Sequence, residues 1–537
     1  MKYDKIKKMK TDIEIAQDAK LKQITYIAKR AGIRLADVEL HGCFKAKISL
    51  NALKRNKKKK DGKPRSEHRG KLILVTTMTP TAQGEGKTTT TIGLAQALNK
   101  LGKSAFVCIR EPSLGPVMGL KGGAAGGGYA QVLPMDDINL HLTGDMHMIT
   151  SAHNLLTAMV YNHIYQGNDL GIDESRIVWK RVMDMNDRSL RGTFDITASS
   201  EVMAILCLSK NITDMKERLG RIVVAYNKDG RPIQAADLKA QGAMALLMWH
   251  ALKPNLVQTL EGGPAFIHGG PFANIAHGCN SLVATELALQ LADFVVTEAG
   301  FGSDLGAEKF FDIKCRVGQL KPAAAVLIVT RQAIDRHGYD NVAKHVENIQ
   351  SFGVPLVIAL NRKENDPDEE IRYIVKQCEK FSVPTVISEV WGRGGVGGRE
   401  LGDQVIRISG NQAKFKLLYD LKESLKEKIE KIAVRIYGAD GVNWTDKAKS
   451  DLETMESIGL TNVPVCIAKT QYSLTDDPKV YGRPKSFKIT VRELKPSAGA
   501  GFVVAFTGDI MTMPGLPKHP AAENMDISES GKITGLF

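Results

Sequence analysis

The sequence predicts an α/β fold: a mostly parallel sheet with helices on both faces, plus smaller α/β and C-terminal domains. Three observations carry this prediction. Through the first half, short β-rich apolar runs alternate with segments of helical period, the order that builds parallel sheets. One such run, Leu72 to Thr77, leads straight into a glycine-bearing loop and then a helix. Past about Gly438 the texture changes, and Pro464, Pro478, Pro484, Pro496, Pro514, Pro517 and Pro520 punctuate short strand-like pieces such as Phe502 to Phe506. The 537 residues exceed one ordinary core. The expected division is 1–360 for a nucleotide-binding core, 361–450 for a second α/β region and 451–537 for a C-terminal small domain.

The elements follow in order. Leu72 to Thr77 reads as a buried strand. Thr88 to Leu101 follows a helical period through Ile92, Leu94, Ala95, Ala97 and Leu98, and Gly102 suits its C-terminal cap. Ser104 to Ile109 is a second strand. Further strands are expected at Arg221 to Ala225, Asp293 to Thr297, Ala325 to Val329, Pro355 to Leu360 and Val383 to Ile387. Asp366 to Lys380 reads as a surface helix, and Asn411 to Tyr437 as one long charged helix.

Composition excludes several classes. Hydrophobic residues at 43% and charged residues at 25% fit a soluble globular protein. No run of eighteen apolar residues occurs, so no membrane span is expected. Met1 to Lys10 carries charges with no apolar stretch behind them, unlike a signal peptide. The seven scattered cysteines lack a C-x-x-C pair, which fits a cytoplasmic, reducing location. The net charge of +14 is partly local to Lys54 to Arg69, a basic run without the aromatics that a single-strand binder uses for stacking. It reads as a solvated surface loop, so neither nucleic acid nor membrane is an expected partner.

The loop Thr81, Ala82, Gln83, Gly84, Glu85, Gly86, Lys87, Thr88 carries the first chemistry. Glycines at 84 and 86 let backbone N–H groups turn toward a phosphate. The helix that follows adds its positive end. Lys87 can reach the β/γ-phosphates, and the Thr88 hydroxyl can ligate Mg²⁺. Strict spacing asks for glycine where Thr81 stands, so the motif alone is degenerate. Its strand–loop–helix setting makes the case for a P-loop NTPase-like nucleotide site. Other glycine clusters lack a dinucleotide fingerprint: Lys121 to Gly128 has the wrong spacing, and Gly300 to Gly306 misses it by one residue. Each is either a backbone-lined ligand loop or a tight turn. Trp391 to Gly398 pairs an aromatic with glycine-rich backbone, which suits a flat ligand.

Longer runs make the motifs specific. Thr79 to Thr90, Arg110 to Pro116, Lys121 to Gln131, His268 to Ser281, Thr297 to Asp312 and Gly508 to Pro517 together resemble formate–tetrahydrofolate ligase, of the monofunctional bacterial type. The resemblance runs from about Asp12 to the end. It implies ATP-dependent ligation of formate to tetrahydrofolate through formyl phosphate, giving 10-formyltetrahydrofolate, ADP and phosphate. It implies ATP, Mg²⁺ and a monovalent cation, tetrahydrofolate or its polyglutamates as substrate, a homotetramer, and a folate-contacting role for 361–450. Lys87 then holds the transferring phosphate, and Arg110 forks onto a carboxylate or acyl phosphate, its alternative being an ion pair with Glu111. Glu111 is placed loosely in the catalytic set. His141 and His277 line the substrate site or serve structure, and Trp391 stacks on the pteridine.

The chain departs from the family pattern in places. Thr81 to Gly84 stands where Thr-Pro-Ala-Gly is usual, and Tyr161 replaces an aspartate before Asn162 and His163. Lys363 occupies the position of the family phenylalanine that forms the second aromatic wall of the folate pocket. Stacking is then one-sided, or Lys363 meets the glutamate tail. The rival reading is a P-loop ATPase acting as a switch, with nucleic acid at the basic run. A third is a family member that has lost folate activity.

Overall fold

The structure, a computed structural model, describes residues 10–56, 70–120, 123–508 and 510–536. Most of the basic run, together with Lys121, Gly122 and Asp509 of the family motifs, lies outside the described residues.

Seven parallel strands form the centre of a twelve-stranded sheet. In chain order they are β1 (Lys71–Thr77), β2 (Ala105–Ile109), β3 (Pro264–Ile267), β4 (Phe294–Gly302), β5 (Pro322–Val329), β6 (Leu356–Asn361) and β7 (Thr385–Ser388). In space they run β3-β2-β4-β1-β5-β6-β7. Beyond β3 the sheet continues antiparallel through Asn255–Thr259, Ala46–Ile48 and Val38–Leu40.

Successive side chains of a strand point to opposite faces, so a strand covered on both sides reads as a continuous apolar run. Ile73 and Val75 of β1 join Ile92, Leu94 and Leu98 of α1 (Lys87–Lys100) in one apolar cluster. Leu72 and Leu74 join Phe106, Val295, Leu327 and Val342 in the other. Val342 lies on α2 (Arg331–Ser351). The layer of α1 also holds α4 (Val390–Gly397) and α5 (Arg399–Ile408), whose Val390, Leu401 and Val405 share its cluster. The α/β architecture expected from the alternating pattern is the one observed. No helix among the described residues is long and apolar enough to cross a membrane.

Two expectations need correction. The expected strand at Arg221 to Ala225 is Val223–Asn227, and it stands in a separate antiparallel sheet with Ile172–Ile177 and Pro232–Gln234. The expected helix over Asn411 to Tyr437 is helical only from Leu425. Ser424 caps its start, with Glu427 completing a capping box, and Gly438 in the left-handed region ends it. The cap outweighs the apolar spacing before it, because it satisfies N–H groups that a continuous helix would have satisfied otherwise. The surface helix is α3 (Asp368–Glu379), close to its expected place. Beyond Gly438, Val465–Ala468, Phe502–Phe506 and Glu493–Ser497 pair into a small mixed sheet. Its Val465, Phe502 and Val503 belong to the same apolar cluster as Leu74.

Candidate functional site

The site forms at the carboxyl ends of the parallel strands, where α/β sheets place their ligands. The glycine-bearing loop Thr81 to Thr88 leaves β1 and enters α1 at Gly86, which adopts φ +71°; Gly84 adopts φ +78°. At Gly86 a side chain would collide with Asn361 at the end of β6, within 2.4 Å. The Asn361 amide donates to the Glu85 carbonyl at 3.0 Å, so the loop is held against the neighbouring strand end.

Glu85 is the buried member of the loop. Its carboxylate accepts from the Thr81 backbone N–H at 2.6 Å and the Thr81 hydroxyl at 2.8 Å. Its other oxygen accepts from Thr330 and from Gln332. Gln332 also donates to the Gly84 carbonyl at 2.8 Å. Ala82 and Gln83 are exposed at the loop tip.

At the head of α1, the Lys87 ammonium donates to the Phe301 carbonyl at 2.8 Å. Phe301 holds φ +63°, a conformation that costs a bulky L-residue about 1–3 kcal/mol and clusters at functional sites. The Thr88 hydroxyl donates to Glu298 at 2.9 Å. Arg110, at the end of β2, pairs with the other Glu298 oxygen at 3.4 Å. Its partner is therefore Glu298, and the expected alternative with Glu111 is not formed. Gly300 lets the guanidinium lie close, since a side chain there would stand 3.0 Å from it.

Two cavities flank the loop and share Gly84 and Glu85 as wall. The larger, 730 Å³, is lined by Gly86, Trp391, Tyr129, Arg362, Lys363 and Arg393 among others. The smaller, 80 Å³, is lined by Thr81, Lys87, Phe301, Gln471 and Tyr472 among others. Trp391 opens α4 and is half-buried. Its carbonyl accepts from Tyr129 at 2.7 Å, and a side chain at Gly128 would strike that carbonyl at 2.1 Å. Gly127 and Gly128 of the Lys121 to Gly128 cluster thus lie against Trp391, whereas Gly123 packs on Asn139 and Gly126 on Ala130 and Ile92. After Trp391, Gly392 faces open space, while Gly395 and Gly398 serve close packing. Side chains at Gly395 and Gly398 would press on α1 near Ala97, and one on Gly93 of α1 would meet Val390 at 2.3 Å.

Of the predicted residues, Thr81, Gln83, Gly84, Glu85, Gly86, Lys87, Lys363 and Trp391 line these two cavities, whereas Thr88 and Arg110 line neither and meet on Glu298. The Lys363 ammonium donates to Gln332 at 2.6 Å and to Gln83 at 3.4 Å, which ties it to the phosphate loop. Three residues stand apart. Glu111 is buried, and burial first, then Asp145, holds its carboxyl well above the usual range. His141 is exposed, with its ring nitrogen 2.9 Å from His147. His277 is fully buried, lines neither cavity, and is pushed down to about 3 by burial and then by Lys314, Lys309 and Arg110.

Sequence reasoning did not single out Glu298, Phe301, Gln332, Asn361, Gln471 or Tyr472. Glu298 had a legible signal: an acidic residue interrupts an apolar strand near its carboxyl end, where ligands bind. The others touch the loop from segments remote in sequence.

Comparison with known proteins adds the chemistry. Among solved structures, a chain of the MinC:MinD cell division protein complex of Aquifex aeolicus aligns with 13% identity over 65% of this chain and 99% of that chain, at a TM-score of 0.26. The family model described as formate–tetrahydrofolate ligase matches residues 10–537. The chain belongs to the formate–tetrahydrofolate ligase family, the ATP-dependent ligases that join formate to tetrahydrofolate.

Proposed function

We propose that the phosphate loop holds ATP and that the enzyme works in two steps through formyl phosphate. A formate oxygen attacks the γ-phosphorus, and the bond to the β-phosphate oxygen breaks, releasing ADP. The N10 nitrogen of tetrahydrofolate then attacks the formyl carbon. The carbon–oxygen bond to phosphate breaks, N10 gives up its proton, and 10-formyltetrahydrofolate and phosphate result. The carrying observation is that Gly84, Glu85 and Gly86 line the same 730 Å³ cavity as Trp391. A phosphorylated group on the loop and a flat ligand on the tryptophan are then neighbours.

Phosphoryl transfer asks a protein for positioning and charge stabilisation rather than a nucleophile. Lys87 supplies a cation at the head of α1, and Arg110 offers a planar fork for the formate carboxylate and the acyl phosphate. Thr88 and Glu298 present an oxygen-only donor pair, 2.9 Å apart, that suits Mg²⁺. When bound, the metal would neutralise phosphate charge. Trp391 supplies one stacking face for the pteridine, worth on the order of 1 kcal/mol. On the rim, Arg362 and Arg393 pair with Glu389, which leaves Lys363 as the cation offered to an anionic glutamate tail.

The test mixes purified protein with MgATP, formate and tetrahydrofolate, then acidifies the mixture. Absorbance of 5,10-methenyltetrahydrofolate is the expected result. No product at saturating ATP would defeat the reading and leave the lost-folate-activity alternative.

A further inference from the structure

The small cavity beside Lys87 is closed by a segment that neither strand pattern nor loop motif brings there. Gln471 and Tyr472, from the loop after Val465–Ala468, line it together with Lys87, Thr81 and Phe301. At 80 Å³ it offers about the volume of two or three waters, so a small anion fills it and leaves little solvent beside it.

The roof segment is fastened at both ends by buried polar groups. The Lys469 side chain is fully buried. Its ammonium donates to the carbonyls of Thr470 at 2.9 Å, Ser473, and Thr475 at 3.3 Å. It also pairs with buried Asp304 at 3.2 Å. Asp304 follows β4 by two residues, and Phe301, whose carbonyl Lys87 contacts, is the last residue but one of β4. At the other end, Asn341 donates to the Gly482 carbonyl at 2.8 Å and to the Thr79 hydroxyl at 3.0 Å. Thr79 stands two residues ahead of the phosphate loop. Tyr481 adds an exposed clasp to Arg336, whose guanidinium lies 4.3 Å from the ring centroid. The segment is therefore indexed to both walls of the cavity, to β4 through Asp304 and to the loop through Thr79.

We propose that Gln471 and Tyr472 form a fixed roof over the acyl phosphate, donating hydrogen bonds to the anion and excluding water from it, with Lys469 as the positioning residue. This rests on the formyl phosphate reading. An amide N–H and a phenol O–H are neutral donors, which suit an anion without activating water. Without the roof, water attacks formyl phosphate, the bond between formyl oxygen and phosphorus or formyl carbon breaks, and formate and phosphate leave. The net reaction becomes formate-dependent hydrolysis of ATP, with no formyl transfer.

The experiment counts ADP and 10-formyltetrahydrofolate in the same reaction for Tyr472→Ala, Tyr472→Phe, Gln471→Ala and Lys469→Met. Wild type is expected to give one ADP per product. Tyr472→Ala, Gln471→Ala and Lys469→Met are expected to raise that ratio at least threefold and to raise the formate KM. Tyr472→Phe keeps the ring and is expected to raise the KM with a smaller change in ratio. A ratio of one and an unchanged formate KM in both Tyr472→Ala and Gln471→Ala would overturn the proposal. So would excess ADP that needs no formate. Should Lys469→Met fail to fold, the two half-buried positions carry the test alone. A wild type that makes no product refutes the parent reading instead, and formate-stimulated ADP release in the variants still reports on the roof.

Discussion

The Thr88 hydroxyl donates to the Glu298 carboxylate across 2.9 Å, joining the head of the phosphate-loop helix to the strand beside β1. The same carboxylate faces Arg110. Glu298 is almost fully buried, so its charge is held close to both partners. Glu298→Gln keeps the shape and removes the charge. We expect kcat to fall about 10²–10³-fold, the scale of losing one preorganised electrostatic group, with a higher Mg²⁺ requirement. Steady-state turnover against Mg²⁺ concentration checks this, and a change under twofold would assign Glu298 to structure alone.

Lys87→Ala should abolish turnover, because Lys87 stands at the head of α1 and lines the cavity beside the loop. Full activity in that variant would show that the loop is not the phosphate site.

Lys363→Phe should tighten tetrahydrofolate binding. A second aromatic face is worth on the order of 1 kcal/mol, or about fivefold in KM. The substitution also removes the hydrogen bonds to Gln332 and Gln83, so the ATP KM should rise. Both constants come from one kinetic matrix. An unchanged or weakened folate KM rejects the stacking argument.

Gly93→Ala adds a carbon that would sit 2.3 Å from Val390. Overpacking of this kind costs about 1–3 kcal/mol. Moving α4 displaces Trp391, so urea unfolding should shift to lower concentration and the folate KM should rise with it. A loss of stability with an unchanged folate KM would separate the helix contact from the tryptophan.

Acid should weaken the fold through buried histidines. The His268 ring sits 2.6 Å from the Ala251 carbonyl and 2.6 Å from the Ser281 hydroxyl, and burial lowers it to about 4. Its ordinary value is 6.5, so the unfolded chain takes up the proton first. The stabilisation is present above 6.5 and is lost as pH falls through 4, about 2 kcal/mol between pH 7 and pH 5. Glu201 and Asp312, raised to about 7 by burial, act in the opposite sense. Because these groups are common to both proteins, the difference between wild type and His268→Gln in the urea-midpoint shift from pH 7 to pH 5 isolates His268. His268→Gln should show a smaller drop than wild type, and an equal drop would remove His268 from the account.

The layers and the strand–loop–helix unit around Thr81 to Thr88 were legible because local signals agree there. β1 is apolar on both faces, the glycines sit where the turn needs them, and α1 keeps its period. Trp391 was legible through its family motif, but the glycines after it were not. The purpose of Gly395 and Gly398, close approach to α1 near Ala97, depends on a helix nearly three hundred residues earlier. Asn411 to Lys422 reads as helix by spacing, yet Ser424 and Glu427 mark a later start. Gln332, Gln471 and Tyr472 carry no local signature at all, since their neighbours are assigned by topology.

The contact between α1 and α4 also sets a length. The N-terminal end of α1 presents Lys87 and Thr88, while its flank supports the turn bearing Trp391. In the proposed reaction, donor and acceptor are therefore spaced by one helix-to-helix distance that glycines hold at its minimum. A bisubstrate inhibitor with a phosphonate at one end and a pteridine at the other should meet a single best linker, and side chains added at Gly93 or Gly395 should shift that optimum longer.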